Sequence, residues 1–250
     1  MPVNDELGKR MKRYEAIPQI SLMRRTPVAI RIDGKAFHTF TKHLNKPWDN
    51  IFQTSMQETM KCLCQNIQNC VFGYQQSDEI TLILTDYETL TTDAWFGYEV
   101  QKLCSISASM ATFYFNKFFR ENAEKIIWVN PNNNYSAILA KCINAPAMFD
   151  ARCFNIPKEE VTNLVYWRQV DAVRNSIQSM GQAYFSHKQL MNKNTKEVRQ
   201  MLENNGTLWE DRPVAERRGV ACLKGEDGWY IDYNMPTLKG EDRDYIEKLI

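Results

Sequence analysis

The 250-residue chain lacks an excess of charge of either sign, because 31 lysines and arginines face 30 aspartates and glutamates, for a net charge of +1. That balance excludes a bulk polycation, so a nucleic-acid partner has to be held by local basic clusters. Long apolar runs are missing as well, and no stretch approaches the roughly 18 residues that a membrane span needs. The charged N-terminal stretch does not have the apolar core of a secretory signal, and we expect a cytoplasmic protein that does not bind membranes.

Cysteine and histidine patterns that bind zinc are also absent. The seven cysteines and three histidines form no CxxC and no HxxxH spacing, so a zinc site is not expected. An odd number of cysteines without an export signal indicates reduced thiols. Hydrophobic residues make up 44% of the chain and charged residues 24%, which is typical of a globular protein rather than a disordered one.

Strand-like and helix-like segments alternate regularly between residues 28 and 156. Residues 28–33 predict a strand with Val28, Ile30 and Ile32 on one face. Two apolar runs, at 71–75 and 80–85, flank a polar joint and predict a hairpin, and residues 149–156 predict a fourth strand. Helical spacing predicts a helix after the first strand and another after the hairpin. The order β-α-β-β-α-β is that of the ferredoxin-like fold, an antiparallel sheet with two helices on one face.

The segments outside this order complete the predicted architecture. Residues 120–148, with the run NPNNN, are expected to be irregular. We expect an α+β protein with one domain over residues 1–157, including an N-terminal helix, and a mostly helical C-terminal extension over 158–250 that packs on it. Capping boxes at Ser186–Gln189 and Asn194–Glu197 begin two helices of the extension. The stretch at 226–228 favours a late hairpin.

Acidic residues stand at the ends of the predicted strands. Asp33 ends the first strand, and Asp78 and Glu79 lie in the joint of the hairpin. In this fold the first strand lies beside the third, so these ends can meet. Converging carboxylates are hard oxygen ligands suited to Mg²⁺, and a pair of such ions supports phosphoryl transfer. The alternative, that these are turn residues and nothing more, stays open on pattern alone.

Four strings of residues carry a more specific signal. RIDGKAFHTF at 31–40, KPWD at 46–49, YQQSDE at 74–79 and WRQVD at 167–171 resemble the tRNA-histidine guanylyltransferase family in their order and approximate spacing. The resemblance covers roughly residues 5–180. It implies a polymerase palm-like domain that adds nucleotides to the 5′ end of tRNA, with growth running 3′ to 5′.

The resemblance also implies a site. Asp33 and Asp78 would bridge two Mg²⁺ ions, with the Gly34 carbonyl as a further ligand, and Glu79 would support them as a third catalytic residue. The implied nucleotide-binding residues are Arg31, Asp33, Gly34, Lys35, Ala36, Phe37, His38, Lys46, Ser77 and Asp78. For Phe37 two interpretations stay open, stacking on the base or packing in the core. For His38 they are a catalytic role or a hydrogen bond to a local backbone group.

One departure from the family bears on specificity. Members that add the extra guanosine to tRNA-histidine carry a HINNLYN-like run after the WRQxD match, whereas here Val173 holds the histidine position and Asn175 alone survives clearly. This resembles the bacterial and archaeal guanylyltransferase-like branch, which implies template-dependent repair of 5′-truncated tRNA with GTP and other nucleoside triphosphates. ATP would activate a 5′-monophosphate end. A dedicated tRNA-histidine guanylyltransferase is the alternative.

More distant alternatives and the mode of RNA binding complete the expectations. The same palm could serve a nucleotide cyclase, and an RNA-binding module without catalysis would need exposed aromatics such as Phe72 and Tyr74 on its strands. The family resemblance implies a homotetramer in which several subunits share one tRNA. Four basic clusters are candidates for contacts with the RNA backbone: Lys9-Arg10-Lys12-Arg13, Arg24-Arg25, Lys188-Lys193-Lys196-Arg199 and Arg212-Arg217-Arg218.

Overall fold

The computed structural model describes residues 5–250, and a six-stranded antiparallel sheet forms their framework. The strands are β1 Val28–Gly34, β2 Cys70–Gln76, β3 Glu79–Leu84, β4 Phe149–Asn155, β5 Val220–Gly225 and β6 Gly228–Asp232. They lie in the order β4-β1-β3-β2-β5-β6. The first four have the order of a ferredoxin-like sheet, so the predicted α+β fold is confirmed.

Ten α-helices cover the described sheet and its edges. They are α1 Asp5–Ala16, α2 Phe37–Phe40, α3 Asn50–Asn66, α4 Val100–Val129, α5 Asn134–Ile143, α6 Val161–Tyr184, α7 His187–Leu190, α8 Thr195–Asn204, α9 Val214–Arg218 and α10 Asp244–Glu247. Both predicted capping boxes are formed, at the starts of α7 and α8. Within residues 5–250, no helix combines the length and the apolar composition needed to cross a bilayer.

The prediction of irregular structure over 120–148 is wrong. Helix α4 continues to Val129, because its buried positions keep helical spacing through Ala111, Phe115, Phe119 and Ala123. Only a short break separates it from α5. The asparagines that suggested a loop include the cap of that helix, since the side chain of Asn133 accepts a hydrogen bond from the backbone N–H of Tyr135 at 3.1 Å.

The two faces of the sheet are buried to different extents. Val28, Ile30 and Ile32 of β1 pack with residues of α3 and α4, as the alternation predicts. On the opposite face Ala29 is fully buried in a second cluster with residues of α6. Further along β1 on that face, Arg31 and Asp33 are only partly buried. This face of the sheet is therefore open to solvent where β1 ends.

The predicted late hairpin is confirmed as β5 and β6, and it joins the main sheet. Strand β5 pairs with β2, with Tyr74 opposite Ala221. The approach is close at Gly219, which has a φ of 82°, and a Cβ there would lie 2.5 Å from the carbonyl oxygen of Gln75. The division into domains at residue 157 stays a prediction, and the sheet itself runs across it.

Candidate active site

Strand pairing brings the predicted acidic residues together at one end of the sheet. Asp33 on β1 lies directly opposite Glu79 on β3, and the backbone N–H of Gly34 donates to the carbonyl of Asp78 at 3.1 Å. Burial raises the pKa of the Asp78 carboxyl, a hydrogen bond from the Ser77 hydroxyl at 3.0 Å opposes that rise, and the charge of Asp33 adds to it. Two partly buried carboxylates this close favour a bound cation.

The donor set fits Mg²⁺ better than a softer metal. In the described part of the chain no group of three or more His, Cys, Asp and Glu side chains could hold a metal ion. Asp33 and Asp78 with the Gly34 carbonyl would supply oxygen ligands alone and leave coordination positions for water and phosphate, which is how Mg²⁺ usually binds. The ligand roles of these three residues stay predictions.

Glu79 faces two arginines rather than an open metal position. Its carboxylate lies 2.7 Å from the Arg168 Nε and 3.5 Å from the Arg31 Nε. Burial raises the pKa of Glu79, although the positive charges of Arg168 and Arg31 oppose that rise. These contacts suit the supporting role predicted for Glu79 and not a role as a direct metal ligand.

The loop after β1 makes a tight turn beside the acidic residues. The backbone N–H of Lys35 donates to the carbonyl of Met148 at 2.8 Å, which fixes the loop to the start of β4. Ala36 has a φ of 57° and Ser77 a φ of 49°, left-handed values that are uncommon outside glycine. Lys35, Ala36 and His38 are exposed. The two loops around the carboxylates are thus held in unusual backbone conformations, a feature that concentrates at functional sites.

The ring of Phe37 is in the core, so it is not available to stack on a base. Phe37 is 3% exposed, and its ring lies 5.0–5.9 Å from the rings of Phe40, Phe52, Phe115 and Phe149. The stacking interpretation is therefore wrong for this side chain, and its backbone alone can contribute to the nucleotide site. A ring nitrogen of His38 lies 3.1 Å from the Thr39 hydroxyl, so its local partner is a side chain and not the backbone group that was expected.

A cavity of about 170 Å³ lies beside the Ser77 turn. Its walls come from the KPWD loop, from the end of β2 and from α6, and Lys46 and Trp48 are among the lining side chains. Sequence reasoning missed most of the polar residues in this wall, although the YQQSDE string that carried the family resemblance contains two of them. The missed polar residues are Thr41, Asn45, Gln53, Gln57, Gln75, Gln76, Asn175, Ser176, Ser179 and Glu216.

Part of the predicted basic surface is already engaged within the chain. Arg24 pairs with the buried Asp86 at 2.5 Å. Arg212 lies 4.9 Å from the centre of the Trp48 ring, and Arg199 pairs with Glu203 and Glu210. These arginines have structural partners, so the basic clusters present fewer uncommitted cations to RNA than their sequence suggests.

Comparison with known proteins shows which family this chain belongs to. The family model described as tRNA-histidine guanylyltransferase matches residues 8–157. The chain belongs to this family. Over 234 residues it is 31% identical to an uncharacterized protein of Acanthamoeba polyphaga mimivirus, a match that covers 89% of this chain and 78% of that protein. The predicted resemblance is confirmed.

Solved structures extend the family match to the whole described fold. A bacterial tRNA-histidine guanylyltransferase-like protein in complex with ATP is 40% identical, has a TM-score of 0.85, and the match covers 97% of this chain and 98% of that one. The tRNA-histidine guanylyltransferase of Saccharomyces cerevisiae, at 21% identity and a TM-score of 0.67, shares the fold. The tRNA-histidine guanylyltransferase of Schizosaccharomyces pombe is 27% identical over 67% of this chain, which spans 56% of that enzyme.

Proposed function

We propose that this protein is a nucleotidyltransferase that adds nucleotides to the 5′ end of tRNA, repairing truncated ends by copying the opposing strand of the acceptor stem. The observation that carries the proposal is the meeting of Asp33 and Asp78 at the open end of a palm-ordered sheet, in a chain of the tRNA-histidine guanylyltransferase family. Family members have been solved with ATP and with GTP, which supports nucleoside triphosphates as the second substrate.

The residues of the site divide the chemistry between them. When bound, two Mg²⁺ ions supply Lewis acidity and offset phosphate charge. Asp33, Asp78 and the Gly34 carbonyl hold the ions. Arg31 and Lys46 neutralise the triphosphate, which a rigid guanidinium fork and a flexible ammonium both suit.

Substrate positioning completes the reaction. Residues 34–38 and Ser77 wrap the triphosphate through their backbone, and the cavity beside Ser77 presents polar groups to the rest of the nucleotide. The 3′-hydroxyl of the incoming nucleotide attacks the activated 5′ end of the RNA. That end is either a 5′-triphosphate or a 5′-monophosphate first adenylylated by ATP. The protein acts in the cytoplasm as a homotetramer whose subunits share one tRNA.

The contacts of the α6 residues that replace the HINNLYN-like run favour repair over dedicated guanosine addition. Val173 packs with a local cluster that contains Trp209, and the Ser176 hydroxyl accepts a hydrogen bond from the Trp209 indole at 2.9 Å. These two side chains of α6 therefore stabilise its packing against the local cluster. Discrimination would then come from base pairing with the template rather than from a dedicated recognition histidine.

The RNA-binding module without catalysis is disfavoured by burial. Phe72 is 0% and Tyr74 1% exposed, and the Tyr74 hydroxyl donates to the carbonyl of Arg218 at 2.6 Å. Neither ring can stack on RNA bases. The nucleotide cyclase shares the acidic site, and it is distinguished by its product.

The deciding experiment supplies tRNAs truncated at the 5′ end, with each nucleoside triphosphate in turn, and sequences the products. We expect the added nucleotide to follow the opposing base when that base is changed. Addition of guanosine to full-length tRNA-histidine whatever the opposing base would establish the dedicated enzyme instead. Cyclic nucleotide without RNA extension would establish the cyclase.

A further inference from the structure

Arg168 of the WRQVD string lies outside the nucleotide and metal roles described so far, yet it is the most firmly bound arginine near the site. It is 6% exposed, and its Nε donates to the Glu79 carboxylate at 2.7 Å. Its Nη2 donates to the Asp171 carboxylate at 2.8 Å, and its guanidinium lies 4.4 Å from the centre of the Trp167 ring. Three partners on two elements hold this side chain in one orientation.

The carboxylate that Arg168 binds is close enough to the metal position to interfere with it. Glu79 lies directly opposite Asp33 in the β1–β3 ladder and follows Asp78 in the chain. Directly opposed residues of an antiparallel pair have Cβ atoms about 4.5–5.5 Å apart, so a freed Glu79 side chain could reach the ions held by Asp33. A third carboxylate on those ions would occupy a position that Mg²⁺ normally leaves for water or substrate phosphate.

Arg31 is the weaker partner of Glu79. Its Nε lies 3.5 Å from the carboxylate, and that buried nitrogen has no hydrogen-bond partner. An arginine in this state can exchange Glu79 for a phosphate at low cost, which agrees with the nucleotide-binding role proposed for Arg31. During a reaction, Arg168 would then be the arginine that stays paired with Glu79.

We propose that Arg168 is a positioning residue that holds the Glu79 carboxylate away from the Asp33–Asp78 pair and so keeps the metal site at two carboxylates. This inference rests on the proposed function, because it concerns the metal site of that reaction. It predicts an unusual combination for the loss of Arg168: the site binds divalent cations more tightly while the enzyme turns over more slowly. If Arg168 only stabilised the fold, tighter binding would not depend on the Glu79 carboxylate.

The test compares Arg168→Met, Glu79→Gln and the double variant Arg168→Met/Glu79→Gln with wild type. Mn²⁺ binding is measured directly by electron paramagnetic resonance without nucleotide or RNA, and kcat and KM are measured on truncated tRNA. We expect Arg168→Met to bind Mn²⁺ roughly three- to tenfold more tightly, because the freed Glu79 carboxylate can reach the ion, and to show a lower kcat. The double variant has the net charge of wild type, and we expect its Mn²⁺ affinity to return towards the wild-type value.

Other outcomes overturn the inference. Arg168→Met with unchanged or weaker Mn²⁺ binding and a kcat that falls in step with its folded fraction would show that Arg168 only stabilises the fold. Failure of the double variant to reverse the Mn²⁺ effect, or a wild-type protein that binds no Mn²⁺, would contradict it too. Arg168→Lys separates charge from position and also serves if Arg168→Met does not fold. Its ammonium keeps the positive charge but lacks the planar guanidinium fork, so it should hold Glu79 less firmly and also bind Mn²⁺ more tightly. If the wild-type protein did not extend tRNA, the proposed function would be refuted. The Mn²⁺ measurements would still decide whether Arg168 positions Glu79, because they need neither nucleotide nor RNA.

Discussion

Two Asp-Gly pairs follow strand residues in this chain, and the structure places them in opposite settings. Asp33-Gly34 ends β1, which lies between β3 and β4 in the middle of the palm. A Cβ on Gly34 would lie 2.3 Å from the Phe37 ring. Asp227-Gly228 forms the turn of the β5–β6 hairpin at the edge of the sheet, and a Cβ on Gly228 would meet nothing within 4 Å. The same dipeptide is a candidate metal site in one place and an open turn in the other.

The difference shows that the neighbouring residues across the sheet, and not the dipeptide itself, determine what each Asp-Gly pair can do. Because β1 is a central strand, Asp33 has a partner on both sides: Glu79, which follows Asp78, on β3, and Asp150 on β4. Asp227 is exposed on an edge hairpin. Substitutions at matched positions of the two pairs therefore test how much of the site comes from that placement.

The largest contrast is expected from the aspartates. Asp33→Ala should reduce nucleotide addition by about a thousandfold or more, since several kcal/mol of metal-based charge stabilisation are lost. Asp78→Ala should do the same. Asp227→Ala is the matched control and should keep wild-type turnover. Rates of labelled-nucleotide incorporation and the thermal unfolding curve of each variant are the measurements. Near-normal turnover in a folded Asp33→Ala protein would remove this residue from the site.

The glycines should separate packing from backbone strain. Gly34→Ala forces a methyl group against the Phe37 ring and should lower the free energy of unfolding by roughly 1–3 kcal/mol, with activity lost as the loop shifts. Gly228→Ala is strained only by its φ of 102° and should cost about 1 kcal/mol without changing turnover. Urea denaturation of both variants measures the difference. Equal costs, with full activity in both, would contradict the close packing at Gly34.

A lysine of the proposed nucleotide site and a lysine of the edge hairpin should respond differently as well. Lys46→Ala should raise the nucleotide concentration that the reaction requires, or slow the reaction from a 5′-monophosphate end, by roughly tenfold. The reason is that the triphosphate loses its contact with the positive charge of Lys46. Its dependence on Mg²⁺ should change little. Lys224→Ala, on strand β5 of the edge hairpin, is the control. Wild-type rates for Lys46→Ala on both 5′-monophosphorylated and 5′-triphosphorylated RNA would exclude Lys46 from the site.

The smallest effect is a gain in stability. Because burial raises the pKa of Asp78 above its usual value of 3.8, its ionised form destabilises the metal-free protein at neutral pH. Asp78→Asn should therefore raise the melting temperature slightly at pH 7 in EDTA, although it abolishes activity. The gain should vanish as the pH falls below the usual value, where the carboxyl is protonated in both the folded and the unfolded state. A drop in Tm for Asp78→Asn at pH 7 would contradict the raised pKa of Asp78.

The sequence predicted the sheet well because its strands alternate with period two and its helices repeat cleanly. Val28, Ile30 and Ile32 face one cluster as expected, and the polar joint at 77–79 became the β2–β3 turn that holds Asp78. The prediction of an irregular segment was wrong because asparagines serve equally as loop residues and as helix caps, and Asn133 is a cap. Phe37 was ambiguous because an aromatic in a motif carries no sign of where its ring packs.

The contacts of Glu79 and Arg168 could not be predicted for a different reason. They join residues 89 positions apart in the chain, and no local pattern reports such a pair. The WRQVD string indicated that its residues mattered but not what they touch. The polar walls of the cavity were missed for the same reason, since they come from separate elements.

The pairing of β5 with β2 has a consequence for how the chain folds as it is synthesised. Tyr74 pairs with Ala221 across 147 positions of sequence, so the six-stranded sheet is completed only when residues 220–232 have left the ribosome. Contacts of such high sequence separation slow folding. Until then β2 is an open edge that carries the buried Phe72, and such edges promote aggregation. A polypeptide stopped at residue 157 would possess both carboxylates of the site and yet depend on chaperones to stay in solution.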